Sequence, residues 1–465
     1  MVVPYWIQDA IFYQIFPDRF ANGDRRNDPI NVQPWGTMPT NWNFMGGDLR
    51  GIIQRFDYLI DLGVNALYLN PIFLSSSNHR YNTADYYRID PMLGNMTDFR
   101  ALVDSAHANG MHVILDGVFN HCGRGFFAFT DLLELQEHSP HQDWFHVKRY
   151  PVDAYSPGEA EDYLGWWRHK SLPKFNTDFP AVRQYIYDVA QYWIRQGADG
   201  WRLDVPNEIS DDTFWSEFRQ RVKSVNPDAY LVGEIWTADP HWVGEGHFDG
   251  LMNYPLRDAL LDFIEGAFLT TAEFGRKLEE LLKIYPRENV YAMYLPLGSH
   301  DTERLYTRLG GHLDKIKLAF LFQFAFPGAP AIYYGDEVGM QGGKDPECRG
   351  AFPWELDQQL AELRAWIQTL CALRKRINVL RRGDYRQVFL DDRRRVFAFA
   401  RTLGLERLLI VMNASPTTRQ IRLPVGEIGM NDGQIVRNLL GREEYIISGD
   451  TLLVTLPPWK GAWIS

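Results

Sequence analysis

The sequence predicts an α/β protein: a (β/α)8 barrel of the TIM type, with a small domain inserted after strand 3 and a C-terminal antiparallel β-sandwich. An amphipathic segment, a glycine and a short apolar run recur in LIDLGVNALYLN, SAHANGMHVILDGV and IRQGADGWRLDV. This order is typical of successive βα units. The apolar runs with the length of barrel strands begin at Phe12, Ala66, His112, Gly200, Tyr230, Gly250, Tyr294 and Ala331. A doubly wound open sheet is the alternative that this order also allows.

One helix shows the pattern in detail, between GNMTD and the run HVILDGV. We expect Thr97 to be its N-cap and Gly110 to end it, because these residue types satisfy or terminate helix ends. Its apolar residues recur at helical spacing and share one face: Phe99, Leu102, Val103 and Ala106. A second helix is predicted to begin at Pro180 and to end near Gly197.

The domain boundaries follow from changes in this pattern. Residues 122–178 are rich in aromatic, histidine, proline and charged residues, and they are too long for an ordinary βα loop. We interpret them as the inserted domain, with the barrel formed by residues 1–121 and 179–378. Alternating runs such as RVFAFAR and RLLIVMN follow, so residues 379–465 are predicted to form the β-sandwich.

The composition indicates which partners the protein binds and in which compartment it is found. A formal net charge of -11 argues against nucleic acid. Three scattered cysteines and the absence of a basic leader in MVVPYWIQDAIFYQ favour a cytoplasmic protein with reduced thiols. The most apolar stretch, residues 318–334, is interrupted by Gln323 and Pro327, which predicts a buried helix and strand and no membrane contact. The oligomeric state is left open.

Three carboxylates carry the strongest functional signal. Asp204, Glu234 and Asp301 each stand at the end of an apolar run, where the chemistry of a barrel enzyme is found. Arg202 lies two residues before Asp204, so both side chains should point to one face of a strand. A guanidinium there can hold one carboxylate ionised beside a second acid that stays protonated.

Four segments in order resemble the signature regions of the α-amylase superfamily, glycoside hydrolase family 13. They are DGVFNH, GWRLDVPNE, GEIW and GSHDTERL, on the third, fourth, fifth and seventh predicted strands. LPKFN and VPNE are similar to markers of its cyclomaltodextrinase, maltogenic amylase and neopullulanase branch. Members of that branch usually carry an N-terminal β-sandwich, and we expect it to be lacking here because the first strand begins near Phe12.

The resemblance implies a role for each acid. Asp204 corresponds to the nucleophile, which forms a covalent glycosyl-enzyme, and Glu234 to the acid/base, so the anomeric configuration would be retained. Asp301 corresponds to the third acid, which binds sugar hydroxyls. We expect a raised pKa for Glu234 and a depressed pKa for Asp204.

Further residues are implied to bind substrate: His79, Tyr81, His121, Arg202, Trp236, His300, Asp345 and Arg349. Tyr81 would be the stacking platform for the sugar that is cleaved. The alternatives are a core position for Tyr81 and for Trp236, and a surface ion pair between Asp345 and Arg349.

One metal site is suggested by the segments NGDRRND and GGD. Carboxylate, amide and backbone oxygens are the ligands that Ca²⁺ prefers, although such clusters are also common in solvated turns. The resemblance to the branch's calcium loop favours a structural Ca²⁺ held by Asn22, Asp24, Asn27, Asp28, Gly46 and Asp48.

The sequence therefore predicts a retaining glycoside hydrolase. It would cleave α-1,4, and some α-1,6, glucosidic bonds of maltooligosaccharides, cyclodextrins, starch or pullulan fragments. The alternatives are a transglycosylase or glucose-isomerising enzyme of the same superfamily, such as a 4-α-glucanotransferase, and a binding protein that has kept the barrel without its chemistry.

Overall fold

The computed structural model describes residues 3–266, 269–355 and 359–465. In chain order its strands are β1 Phe12–Ile15, β2 Ala66–Leu69, β3 Phe73–Ser75, β4 Thr83–Ile89, β5 His112–Gly117, β6 Gly200–Leu203, β7 Tyr230–Gly233, β8 Gly250–Leu251, β9 Tyr294–Pro296, β10 Ala329–Tyr333, β11 Asp384–Asp391, β12 Val396–Leu403, β13 Glu406–Asn413, β14 Arg419–Pro424, β15 Ile435–Arg437, β16 Glu444–Ile446, β17 Thr451–Leu456 and β18 Gly461–Ile464.

The α-helices lie among the first ten of these strands and before the C-terminal sheet. They are α1 Pro17–Phe20, α2 Leu49–Gln54, α3 Phe56–Leu62, α4 Met96–Ala108, α5 Phe127–Leu135, α6 Pro180–Arg195, α7 Asp212–Val225, α8 Tyr254–Glu265, α9 Thr271–Ile284, α10 Arg287–Val290, α11 Leu305–Arg308, α12 Leu313–Ala325, α13 Ala361–Arg376 and α14 Asn378–Arg382.

The eight predicted barrel strands form one parallel sheet in the order β8-β7-β6-β5-β2-β1-β10-β9. A parallel bridge between Met252 and Tyr294 joins its two ends, which closes the barrel. The predicted (β/α)8 fold is thus confirmed, and the doubly wound sheet is excluded. All eight strands have their carboxyl ends at one rim, so residues distant in sequence meet there.

Two apolar clusters on opposite faces of the strands hold the barrel together. The interior is filled by alternate strand residues, among them Phe12, Tyr68, Ile114, Tyr230 and Tyr294. The intervening residues face the surrounding helices, as Leu67 and Leu69 of β2 do. Because both faces are covered, the strands are almost continuously apolar, as expected for a parallel sheet.

The segment between β5 and α6 contains α5 and a set of isolated antiparallel bridges, including His121–Lys174 and Phe145–Phe175. Aromatic rings form its core: Phe129 packs edge-to-face against Phe145 and Tyr163. Lys174 Nζ donates to the carbonyl oxygen of Glu208 at 2.7 Å, which attaches the segment to the loop after β6. The 122–178 boundaries stay a prediction.

The C-terminal region packs an antiparallel sheet, β11-β12-β13-β18, against the strand pair β14-β17. Strand β12 is buried on both faces: Ala398 and Ala400 belong to the core between the sheets, whereas Phe397 and Phe399 join the barrel core. This double burial explains the apolar run that the sequence shows. The predicted antiparallel C-terminal domain is therefore present.

The stretch 318–334 folds as predicted, into the buried helix α12 and the strand β10. Within the described part of the chain, no helix is both long and apolar enough to cross a bilayer.

The predicted cap of α4 was wrong by two residues. Asn95, and not Thr97, is the N-cap: its side chain accepts hydrogen bonds from the backbone amides of Thr97 and Asp98, and Asp98 in turn accepts from the amide of Asn95. Both residue types can cap, but only Asn95 has an acidic residue three positions later to complete a capping box. The apolar face was predicted correctly, because Phe99, Leu102, Val103 and Ala106 are buried.

We expect Asn95→Ala to lower the free energy of unfolding by about 1 kcal/mol, because the first turn of α4 loses its side-chain acceptor. Thr97→Ala is the matched control, since Thr97 is exposed and should change stability by less than roughly 0.5 kcal/mol. Urea denaturation of the two variants measures both values. An equal loss in both would contradict the cap assignment.

Candidate active site

An open cavity of about 830 Å³ lies at the carboxyl-terminal rim of the barrel. It brings together almost every residue that the sequence singled out for chemistry or substrate binding. Those that line it are His79, Tyr81, His121, Asp204, Glu234, Trp236, His300, Asp301, Asp345 and Arg349. Arg202 lies beneath them, with its side chain 1% exposed.

Arg202 joins three carboxyl groups in the floor of this cavity. Its Nη1 atom donates to Asp204 Oδ1 at 2.9 Å and to Asp116 Oδ1 at 2.8 Å, and its Nη2 atom lies 2.9 Å from Glu234 Oε1. Arg202 and Asp204 therefore share one face of the chain at the end of β6, as their spacing predicted. A single guanidinium holds both candidate reacting acids.

Glu234 is also positioned by the chain that follows Asp204. The backbone amide of Val205 donates to Glu234 Oε2 at 3.1 Å, and Trp236 Nε1 donates to Glu234 Oε1 at 3.3 Å. Val205 has a φ of 36°, a left-handed conformation that is costly for a β-branched residue. This turn directs the amide toward the second acid, so the two carboxyl groups are fixed relative to each other.

The pKa values of the two acids depend mainly on burial. Loss of solvent raises the pKa of Glu234 to about 7, even though Arg202 opposes the shift and Asp301 adds to it. Burial also raises the pKa of Asp204 well above its ordinary value. The expected depression for Asp204 was wrong, because this enclosed carboxyl shares Arg202 with Asp116 and Glu234. At neutral pH the cluster therefore retains a proton.

His300, Asp301 and Tyr81 form a second group on the cavity wall. His300 Nε2 lies 3.0 Å from Asp301 Oδ2 and 2.5 Å from the Tyr81 hydroxyl, and the Tyr81 and His300 rings are parallel within 7°. Burial lowers the pKa of His300 well below its usual range. Its neutral ring and the Asp301 carboxylate offer a donor and an acceptor to a bound hydroxyl.

Two further histidines border Tyr81. His79 Nδ1 accepts from the Tyr81 backbone amide at 3.1 Å, and His121 Nε2 lies 3.1 Å from the Tyr81 carbonyl oxygen. Burial lowers the pKa of both imidazoles to about 3. Both imidazoles are neutral at physiological pH, so these two side chains add polar groups to the cavity wall without adding positive charge. The alternative for Tyr81 as a plain core residue does not hold, because it lines the cavity.

Asp345 and Arg349 do form an ion pair, at 2.9 Å. It is not a free surface pair, however, because Arg349 is 7% exposed and its Nη2 atom also lies 3.3 Å from Asp301 Oδ1. Trp236 is likewise not a core residue: it is 46% exposed and stacks on Tyr254 at 3.8 Å between ring centroids.

Sequence reasoning missed several members of the site. Asp116 accepts hydrogen bonds from the hydroxyls of Tyr68 and Tyr81, at 2.6 and 2.7 Å, besides the one from Arg202. Its signal was available, because Asp116 begins the quoted DGVFNH motif at the end of β5. Trp166 stacks on His121 and on Trp167, and both tryptophans line the cavity, but no local pattern separates them from the other aromatic residues of the inserted segment.

The residues of the predicted calcium site also lie together. Asn22 Nδ2 donates to Asp28 Oδ1 at 2.7 Å, and Asn27 Nδ2 donates to Asp48 Oδ2 at 3.2 Å. The amide oxygens of Asn22 and Asn27 are buried and have no hydrogen-bond partner, which is costly unless a ligand satisfies them. A Cβ atom on Gly46 would lie 2.3 Å from Asp28 Oδ1, so only glycine allows this approach.

Two of the predicted ligands have other partners. Asp24 binds the Arg26 guanidinium through both carboxylate oxygens, and Asp48 caps α2 by accepting from the Gly51 amide. The donor set that fits a hard cation therefore consists of the two free amide oxygens and the Asp28 carboxylate.

Comparisons with known proteins agree with the fold. The alpha-amylase catalytic domain family matches residues 14–392, and the maltogenic amylase C-terminal domain family matches residues 385–463. The chain is 45% identical over 458 residues to a cyclomaltodextrinase of Geobacillus thermopakistaniensis (strain MAS1), and the match covers 98% of this chain and 76% of that protein.

Two solved structures resemble the whole chain. One is a cyclic α-maltosyl-(1→6)-maltose hydrolase from Arthrobacter globiformis in complex with cyclic α-maltosyl-(1→6)-maltose, with a TM-score of 0.91, 39% identity and 100% coverage of both chains. The other is a debranching enzyme of Nostoc punctiforme, with a TM-score of 0.91, 40% identity and coverage of 100% of this chain and 99% of that chain.

A pair of carboxyl groups at the carboxyl-terminal rim of a (β/α)8 barrel, together with these matches, places the chain among the glycoside hydrolases. The chain belongs to the α-amylase family, as the four motifs predicted.

We expect Glu234→Gln to be more stable than the wild type at pH 8, by roughly 1–3 kcal/mol. The pKa of Glu234 in the folded protein, about 7, exceeds the ordinary value of 4.5. The contribution of its protonated form to the free energy of unfolding is therefore fully present below pH 4.5 and is lost as the pH rises through 7. The amide removes this ionisation.

Thermal denaturation at pH 5 and pH 8 measures the difference, which should shrink at pH 5. Glu279→Gln, at a partly exposed position of α9 that pairs with Lys283, is the control and should change stability by less than roughly 0.5 kcal/mol at both pH values. If Glu234→Gln were equally destabilised at pH 5 and pH 8, ionisation of Glu234 would not destabilise the folded protein, and the prediction would be wrong.

Proposed function

We propose that this protein is a retaining α-glucan hydrolase that cleaves α-1,4 glucosidic bonds in maltooligosaccharides and cyclic α-glucans, with some cleavage of α-1,6 bonds. The observation that carries the proposal is the pair Asp204 and Glu234, both bound to Arg202 in the floor of an aromatic-lined cavity. The names of the relatives, a cyclomaltodextrinase, a hydrolase of a cyclic maltosyl-maltose and a debranching enzyme, support the substrate class.

The reaction would proceed in two displacements. Glu234, whose raised pKa keeps it protonated, donates its proton to the glycosidic oxygen while Asp204 attacks the anomeric carbon, so the C–O bond breaks and an ester to Asp204 forms. Water then gives a proton to Glu234, its oxygen bonds to the anomeric carbon, and Asp204 is released. The attack requires the ionised form of Asp204, and Arg202, which pairs with this carboxyl group at 2.9 Å, opposes the rise in its pKa that burial causes.

The cavity walls suit an uncharged sugar. Tyr81 and Trp236 present aromatic faces against which the C–H faces of glucose can pack. The neutral rings of His79, His121 and His300 and the Asp301 carboxylate supply hydrogen bonds to hydroxyl groups. Because the sugar itself carries no charge, we expect little dependence of binding on ionic strength.

The same covalent intermediate could react with a sugar in place of water. Trp236 is half exposed beside Glu234 and stacks on Tyr254, which offers an acceptor sugar a flat surface on the leaving-group side. This observation favours glycosyl transfer to a sugar as a second activity of the same site. The ratio of transfer to hydrolysis would then determine which products form.

We expect Glu234→Gln to lower kcat on γ-cyclodextrin by about 10²–10⁴-fold, because the amide cannot donate the proton. The loss should be smaller for an aryl glucoside, whose leaving group needs little protonation. Glu279→Gln should keep full activity. Retention of wild-type activity in a folded Glu234→Gln variant would refute both the assignment and the proposed hydrolase mechanism.

Product analysis on γ-cyclodextrin, pullulan and maltotriose separates the substrate alternatives. Hydrolysis predicts shorter products, with the first sugar formed in the α configuration by proton NMR, whereas products longer than maltotriose indicate transfer. A β-configured first product would exclude the double displacement. Binding of these glucans without cleavage of any of them would contradict the proposal and would support the alternative of a binding protein.

We also propose that Ca²⁺ binds at Asn22, Asn27 and Asp28, near Gly46, as a structural ion. The two buried amide oxygens without a hydrogen-bond partner support this proposal, because a hard cation satisfies such oxygens. A solvated turn would leave them exposed to water.

Calcium added to chelator-treated protein should raise Tm, since a ligand at 100 times its Kd stabilises the folded state by about 2.7 kcal/mol. Asn22→Ala should abolish most of this increase, because one buried ligand oxygen is lost. Asn31→Ala, at an exposed asparagine of the same segment, should leave it intact. If calcium raised Tm equally in the wild type, Asn22→Ala and Asn31→Ala, the ion would bind elsewhere.

The proposed location is the cytoplasm. Cys122, Cys348 and Cys371 are buried as free thiols, which suits a reducing compartment. The formal net charge of -11 favours a neutral glucan over nucleic acid as the partner.

A further inference from the structure

Two histidines and an aspartate converge at one point outside the residues that line the cavity. Asp212 is the first residue of α7, His241 lies in the short helix Pro240–Trp242, and His247 lies just before β8. The Nε2 atoms of His241 and His247 lie 2.9 and 3.1 Å from the same atom, Asp212 Oδ1.

The geometry is close to that of a metal site. The three ligand atoms lie within 4.8 Å of one another. Across residues 3–266, 269–355 and 359–465, no other group of three or more His, Cys, Asp or Glu side chains meets this condition. Small side-chain movements would bring each atom to the distance of about 2.0–2.2 Å that zinc requires.

The surroundings keep the two imidazoles in place. The side chain of His247 is 9% exposed and packs against the Trp242 and Phe248 rings. The backbone amide of His241 donates to Asp239 at 3.0 Å. His241 and Asp212 are 48% and 58% exposed, so an ion can enter from solvent and keep a water molecule as a further ligand. The site is therefore partly preorganised and accessible.

The local charge also suits a cation. The Asp212 carboxylate and the neighbouring Asp239 contribute negative charge near His247. Two imidazoles and one carboxylate are the ligand set of many zinc sites. Imidazole nitrogen is a poor ligand for Ca²⁺ or Mg²⁺, which prefer oxygen.

We propose that Asp212, His241 and His247 bind a divalent transition-metal ion of the zinc class, with water completing its coordination. On binding, each imidazole carries its proton on Nδ1, and its Nε2 lone pair faces the ion. The ion joins the start of α7 to the loop between β7 and β8. These two connections follow the strands that end in Asp204 and Glu234, so the ion stabilises the region beside the cavity.

Isothermal titration of tag-free, chelator-treated full-length protein with ZnCl₂ tests this site. Excess Ca²⁺ in the buffer occupies oxygen-only sites, so that the titration reports nitrogen-containing ones. We expect one Zn²⁺ per chain and a Tm that rises with zinc concentration. Co²⁺ should give visible absorption bands of a low-coordinate site.

His241→Ala should weaken zinc binding by at least the roughly 10–100-fold that follows loss of a group supporting a metal ligand. Asp212→Asn should weaken it as well, and both side chains are exposed enough for the variants to fold. His107→Ala is the matched control: His107 Nε2 lies 2.8 Å from Asp199 Oδ2 and the side chain is 41% exposed, so its loss should leave zinc affinity unchanged.

Zinc binding with the same stoichiometry and affinity in the wild type, His241→Ala and Asp212→Asn would overturn the proposal. The absence of binding by the wild type at millimolar zinc would overturn it too. Neither result bears on glucan hydrolysis, because none of these side chains lines the cavity.

Discussion

The shared guanidinium of Arg202 is the interaction on which the active site depends. A buried arginine without partners would be strongly unfavourable, and three enclosed carboxyl groups without a cation would be more so. Arg202 bridges strands β5, β6 and β7 by contacting Asp116, Asp204 and Glu234. The charges compensate one another only when these strand ends are aligned, so the correct barrel register and the assembled acid cluster require each other.

The positions of the site residues could be predicted because the barrel places the carboxyl end of every strand at one rim. An acid at the end of an apolar run is then directed to that rim by strand geometry alone, as Asp204 and Glu234 are. The motifs added the roles. The barrel strands were equally predictable. Because both of their faces are buried, almost every position must be apolar, and β-branched and aromatic residues predominate.

The properties that the sequence could not predict depend on the combined effect of many residues that are close together only in the folded protein. The pKa of Asp204 was expected to be low because only Arg202 was considered, whereas burial and the competing acids raise it. The cap of α4 is a different case: Asn95 and Thr97 are both capping residues, and the sequence signal that separates them is Asp98, the acidic residue three positions after Asn95. Trp166 reaches the cavity through the folding of an irregular segment, which has no periodicity to be recognised.

The turn at Val205 has a consequence for how the acid is best probed by mutation. Its left-handed backbone is held in part by the hydrogen bond from the Val205 amide to Glu234. An alanine at position 234 would remove the acceptor and free the turn, so the neighbouring nucleophile could drift while the proton donor was also lost. Glutamine retains a carbonyl oxygen for that amide, so the turn keeps its acceptor, while its NH₂ group replaces the oxygen that faces Trp236 Nε1 and Arg202 Nη2. A deficit measured with glutamine therefore reports the loss of the proton and of the contact with Arg202 without a change of backbone shape.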